Sequence, residues 1–184
     1  YNNPATLSNT RLSMSGGDDK TKFFISGNIT AEDGTIRKTG FERYSIRANI
    51  DHKITKRIRL SVSSNFLKTD TDRGFTGNQN NSGASIGYNI AYVPSYFDLR
   101  PNDQGVYPVN PYFAENPVAV TDHGINNSTI NRFIQAFNLS ADLIQTSTSN
   151  LKATFSGGLD YVQNSTMIYL PEFLQFQRAQ ANPG

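Results

Sequence analysis

Cysteine and tryptophan are absent from the 184 residues, and histidine and methionine occur only twice each. Without cysteine there is no disulfide and no thiol chemistry, a composition compatible with an oxidising compartment. The two histidines, His52 and His123, stand far apart with no acidic or serine partner at useful spacing. No catalytic constellation, metal site or cofactor site is therefore expected, and the chain reads as a non-enzyme. No run of eighteen apolar residues occurs, which excludes a membrane-spanning helix. Charge of one sign is also missing: 17 basic and 15 acidic groups leave +2, too little to argue for nucleic acid. The opening "YNNPATLSNTRL" has no signal-peptide pattern and is expected to be an interior stretch of a longer chain.

What is present is glycine, asparagine, serine and threonine, with nine tyrosines and twelve phenylalanines. That profile suits an all-β protein with long polar loops, sized for one domain or part of a larger one. The stretch "FERYSIRANIDHKI" alternates strictly: Tyr44, Ile46, Ala48 and Ile50 form one row, Arg43, Ser45, Arg47, Asn49 and Asp51 the other. Such a strand has one face in an apolar medium and one in water. Five more segments alternate in the same way, giving expected strands over 8–17, 20–31, 41–54, 58–69, 130–145 and 150–164. In the fifth, Phe133, Phe137, Leu139, Ala141 and Leu143 make the apolar row.

The apolar medium is either a protein core or lipid. These segments run to roughly ten residues or more, whereas strands of soluble domains average about five or six. Roughly nine to eleven tilted residues is what a bilayer demands of a strand. The connections "GDDKT", "TKR" and "TSTSN" are short, while those after the second, fourth and sixth segments are long. Outer-membrane barrels show this parity, with tight periplasmic turns and long extracellular loops, and a sandwich has no reason to. Lipid is the better reading. Tyr44 and Tyr161, near strand ends, are expected at the membrane interface.

Residues 70–129 form the long loop. Ile86, Ile90 and Val93 follow a candidate cap at Ser82, so a short helix is expected, ended by Pro94. "YFDLRPNDQGVYPVNPYFAENPVAV" reads as an ordered irregular segment, and "DTDRGFTGNQNNSG" as a polar, mobile one. "DLRPNDQG" faintly resembles a calcium loop but lacks the ligand pattern, and an Asx-stabilised turn is expected there. The glycines of "SGG", Ser156 to Gly158, are expected to admit neighbouring backbone or other chain closely.

"SMSGGDDKTKFFISGNITAEDGTIRKTGFERYSIRANIDHKI" resembles the early barrel of SusC/RagA-type TonB-dependent outer-membrane transporters. The likeness rests on Ser15, Gly16, Gly17, Lys20, Thr21, Phe23, Asp33, Gly34, Phe41, Arg43, Tyr44, Arg47, Asn49 and Asp51. "VPSYFDLRPNDQGVYPVNPYFAENPVA" is similar to the family's long loop. The resemblance implies an antiparallel transmembrane barrel segment, about six strands of some twenty-two, following a plug and a TonB-binding segment that lie outside this chain. Six strands are too few to close a barrel, for which about eight is the practical minimum. It also implies import of large nutrients, glycans or peptides, under a SusD-type surface lipoprotein acting as lid. A soluble all-β carbohydrate-binding module, or a barrel that works without TonB such as an adhesin, is the alternative.

In that frame the loop aromatics Tyr92, Tyr96, Phe97, Tyr107, Tyr112 and Phe113 are the substrate candidates, because sugars and peptides stack on such rings. Packing of the loop on itself, or contact with the lid, would use the same rings. Arg43, Arg47 and Arg59 face the lumen, where acidic groups of the plug or cargo would meet them.

Overall fold

The computed structural model describes residues 4–76 and 83–179. Its frame is one antiparallel sheet of six strands in sequential order: β1 Leu7–Gly17, β2 Thr21–Asp33, β3 Gly40–Lys53, β4 Ile58–Asp72, β5 Ile125–Gln145 and β6 Asn150–Tyr169. The fold is the all-β antiparallel meander that the alternation implied. No helix among the described residues is long and apolar enough to cross a membrane.

Each tight turn is fastened by a short polar side chain at or near its start. Asp18 Oδ1 accepts from the amides of Lys20 and Thr21 at 2.8 and 2.7 Å. Thr55 Oγ1 accepts from Arg57 and Ile58 at 3.2 and 3.0 Å, and Thr146 Oγ1 from Ser149 at 3.0 Å. A short acceptor side chain that bonds the backbone two or three residues ahead sets such a turn without help from the rest of the fold. All three lie at one end of the sheet, and the long connections lie at the other.

Register then sorts the side chains. On one face the cross-strand rows read Leu12–Gly27–Ile46–Phe66–Phe133–Tyr161 and, four residues nearer the tight turns, Gly16–Phe23–Ile50–Val62–Phe137–Gly157. The opposite face reads Ser13–Ser26–Arg47–Asn65–Ile134–Asp160 through its middle. Among the described residues nothing covers the apolar face: Leu12 is 79% exposed, Ile46 60% and Phe155 64%. A sandwich would bury that face against a second sheet, yet every buried apolar side chain among the described residues lies in the connections instead. Along β4 the ten steps from Ile58 to Lys68 span about 33 Å at ~3.3 Å each. At a tilt of about 40° that is about 25 Å, the height of a barrel's apolar band.

Small residues on this face take aromatic neighbours. A Cβ on Gly157 would come within 2.7 Å of Phe137 Cζ, so the missing side chain is filled by the ring of the facing strand. Gly158 does admit backbone closely, its hypothetical Cβ lying 2.9 Å from the Gln135 carbonyl oxygen.

Three expectations need correction. β5 starts at Ile125, five residues before the expected 130, and β6 runs on to Tyr169. In "INNST" and "STMIY" both faces are mixed, because these ends pass beyond the apolar band and no medium imposes alternation. Leu143 does not continue the apolar row, since the register shifts between Asp142 and Ile144 and Ile144 takes the place opposite Leu151. The helix expected near Ser82 is α1, Ile86–Ala91, and its N-cap position is Ser85. Ser82 itself, like the rest of "GNQNNS", lies outside the described residues.

Candidate functional site

Segments from three connections meet at the end opposite the tight turns: 34–39, the described parts 73–76 and 83–124, and 170–179 after β6. Together they bury a small core of Phe75, Ala84, Ile86, Ala119, Val120 and Leu174, with Ile36, Leu170 and Phe176 packed against it. A second helix, α2 (Pro117–His123), supplies much of this core. Its start was legible: Asn116 is an N-cap whose Oδ1 accepts from Val118 and Ala119 at 2.9 and 3.3 Å, and Pro117 follows at the first helical position. Seven residues gave too little periodicity to reveal it otherwise.

This cap is held by buried polar side chains more than by apolar ones. Asn89 donates to the carbonyls of Gly83 and Ser85, and its Oδ1 accepts from Glu115 N at 3.0 Å. Asn110 Nδ2 donates to Glu115 O at 2.7 Å, while Gln175 exchanges two bonds with the Asn110 backbone, 2.8 and 2.9 Å long. Glu115 is 2% exposed; its Oε1 accepts from Asn116 N at 2.7 Å and its Oε2 from Phe176 N at 3.0 Å. Burial pushes this carboxyl above its ordinary value, and the amide donors and the charge of Arg178 pull only partly the other way. The segment 34–39 is tied in at Asp122: Arg37 Nη2 lies 2.9 Å from Oδ1, Lys38 Nζ donates to the backbone carbonyl, and the Tyr107 hydroxyl donates to Oδ2 at 2.9 Å. Burial, then that bond and charge, push the Tyr107 phenol up to about 12.

The six loop aromatics divide into three places. Tyr92 stacks on Phe113 with centroids 4.8 Å apart. Phe97 meets Tyr112 edge-on at 5.6 Å, and the Tyr96 and Tyr112 hydroxyls are 3.1 Å apart. Tyr107 stands apart with His123, whose ring in turn meets Phe173. Tyr96, at 79%, is the most exposed of the six, and Tyr92 and Tyr112 are also exposed. Beside Tyr107 opens a cavity of about 470 Å³, walled by Val106, Val109, His123, Phe173 and Arg178 among others. Neither His123 nor Phe173 was singled out as a site residue from sequence; only the fold brings them to Tyr107. Between these places, "DLRPNDQG" forms Asx turns: Asp98 Oδ1 accepts from Arg100 N, and Asn102 Oδ1 from Gln104 and Val106 N. The Arg100 fork holds the Asp98 carboxyl down at about 2.

The three candidate arginines also separate. Arg43 and Arg47 line a recess of about 330 Å³ on the polar face, together with Arg11, which sequence reasoning left out because the whole of β2 intervenes in the chain. Arg59 lies outside it and has its own partner, Asp142, at 3.7 Å.

The comparisons agree with this geometry. No protein-family model matches the chain. It is 30% identical over 128 residues to TonB-dependent receptor P3 of Formosa agariphila, a match to 66% of this chain and 12% of that protein. It is 24% identical over 165 residues to TonB-dependent receptor P26 of the same organism, covering 85% of this chain and 15% of that one. A solved structure of the RagAB peptide importer in its closed-closed state superposes on 97% of this chain and 20% of its own, with TM-score 0.68 and 17% identity. The chain is a barrel fragment of a TonB-dependent receptor.

It spans about an eighth of the curated relatives it matches. TonB-dependent receptors are outer-membrane proteins, and this fragment carries an apolar face that nothing among its described residues covers. Its six strands are then an arc of barrel wall, with the cap above one rim.

Proposed function

We propose that the receptor containing this arc is a TonB-dependent importer of the outer membrane, drawing a glycan or peptide nutrient through the barrel. One observation carries the reading: the sheet is apolar and uncovered on one face, polar and recessed on the other, with every long segment gathered into one cap. That is a wall between lipid and a wet passage, with a structured mouth. The likeness to a peptide importer in fold and to TonB-dependent receptors in sequence supports it. The plug and the TonB-binding segment belong to the rest of the receptor. A SusD-like lipoprotein sits on the cap, where Tyr92, Tyr96 and Tyr112 offer exposed rings to lid or cargo.

The test is uptake by cells carrying the full-length receptor, with and without a functional TonB complex. Uptake that needs TonB, and falls when Tyr92, Tyr96 and Tyr112 are all changed to Ala while the barrel still assembles, supports the reading. Uptake that ignores TonB contradicts it.

A further inference from the structure

The lipid-facing side of a membrane sheet is poor at setting its own register. Lipid tails are as apolar as leucine, so sliding one apolar row past another changes little of what its side chains meet. Such a slip is of two residues, since one would turn every side chain to the wrong face. Most strand pairs here have their register set by the connection instead. The three tight turns fix β1–β2, β3–β4 and β5–β6, and Gly34 N, donating to Thr39 O at 2.8 Å, closes the short connection of β2–β3. β4 and β5 differ, because residues 73–124 separate them. Their facing pairs on the apolar side include Leu60–Leu139, Val62–Phe137, Ser64–Gln135 and Phe66–Phe133, and of these Ser64–Gln135 alone is polar. Ser64 Oγ donates to Gln135 Oε1 at 2.6 Å, and Gln135 Nε2 donates to the Ala136 carbonyl at 3.3 Å. Ser64 stands near the midpoint between Ile58 and Lys68, the ends of the apolar band on β4. Among the described residues, the other side-chain links between these two strands are Thr129 to Asp70 at 2.7 Å and Arg59 to Asp142 at 3.7 Å. Both lie at the rims, where water competes.

We infer that Ser64 and Gln135 are a membrane-embedded lock that fixes β4 on β5, and with it the stance of the cap over the barrel mouth. In the observed register each polar group answers the other. A two-residue slip in one direction sets Ser64 against Phe137 and Gln135 against Phe66; in the other, Ser64 meets Phe133 and Gln135 meets Val62. Either slip strands an amide and a hydroxyl in hydrocarbon, where no water replaces the lost partner. The apolar pairs above and below lose nothing comparable. A slip also moves one foot of the 73–124 connection against the other by about 7 Å, two steps of ~3.3 Å. The bond from Arg73 N to Asn126 O at 2.8 Å, which closes that connection, cannot survive it. Both side chains belong to this chain and stand on the outer face, away from whatever fills the lumen. The inference rests on the lipid-facing reading of that face and is independent of the cargo.

Cysteine pairs on the water-facing side of the full-length receptor read the register in outer membranes. Asn65→Cys with Ile134→Cys places them face to face in the observed register. Asn65→Cys with Ala136→Cys, and Ser63→Cys with Ile134→Cys, come face to face only after a slip in one direction or the other. Such diagonal positions are otherwise about 7–8 Å apart, beyond the reach of a disulfide. With Ser64 and Gln135 intact, only the first pair closes. In Ser64→Ala/Gln135→Leu the ratio of in-register to slipped disulfide falls by at least about three-fold, the size of an average side-chain bond inside a membrane. Exchanging the two residues, Ser64→Gln/Gln135→Ser, restores it. Ser64→Ala alone leaves the amide unanswered in lipid, and lowers the yield of heat-resistant barrel more than the double variant does. An unchanged ratio in the double variant overturns the lock, and so does an exchanged pair that behaves like the double variant. A spin label at Ile46 separates the two ways to fail. Lipid contact there with an unchanged ratio removes the lock alone, whereas shielding from both lipid and water removes the lipid-facing reading beneath it. A Gln135→Cys receptor that cross-links to a second copy also overturns the lock, because the pair then lies against protein.

Discussion

Ile46 and Arg47 are neighbours on β3 and belong to opposite worlds: Ile46 faces Phe66 across the apolar band, and Arg47 faces Asn65 in the polar recess. Ile46→Arg places a charge in mid-bilayer, at a cost of about 2–4 kcal/mol. Arg47→Ser removes a charge from water and costs far less. Phe155→Arg and Thr154→Arg form the same contrast on β6. The apolar-face variants are expected to lose heat-resistant barrel on gels and the polar-face variants to keep it.

Glu115 is the pin of the cap. Both of its oxygens accept from backbone amides, so Glu115→Gln, with a single acceptor, leaves one buried donor unsatisfied at a cost of about 1–3 kcal/mol. Amide exchange at Phe176 should quicken accordingly. Exchange unchanged there would mean that Glu115 does not hold 170–179 to the loop.

The same residue gives the cap a pH dependence. Its carboxyl is raised above 4.5 in the folded cap, so the folded state binds the proton more tightly than the unfolded one. Its contribution is therefore fullest below about 4.5, falls as pH rises through the raised folded value, and is flat above it. Exchange-derived stability of 174–177 is expected to increase on acidification from neutral pH, and Glu115→Gln should remove that slope.

Asp122 joins two loops that are distant in sequence. Asp122→Ala removes the partners of Arg37 and the Tyr107 hydroxyl. The 34–39 connection should loosen by about 1–2 kcal/mol, read as faster exchange at Gly34 and Thr39, whose backbones bond each other at 2.8 Å. The β1–β2 turn, at the other end, should be unaffected.

How much of this was legible follows from what each residue answers to. Strands such as β3 (Gly40–Lys53) answer to two media, and a period of two survives in the sequence whatever the neighbours are. Ile125–Thr129 answers to neither, so the start of β5 was invisible until the strand was built. The cap answers to particular partners: Glu115 to Phe176, Tyr107 to His123 and Asp122. Such pairings leave no period, and the packing of 170–179 onto the loop had no local signal. Arg11 was missed as a companion of Arg43 and Arg47 because register, not spacing, sets them side by side. The Asn116–Pro117 start of α2 was the one cap signal that could have been read.

The central claim is that one face of this sheet meets lipid and the other water. Spin labels at Ile46, Phe155, Arg47 and Thr154 in the full-length receptor in bilayers test it most directly. Labels at Ile46 and Phe155 should be relaxed by lipid-dissolved oxygen, and those at Arg47 and Thr154 by a water-soluble relaxant. Ile46 and Phe155 shielded from both relaxants would mean a protein core against the apolar face, and the account would be wrong.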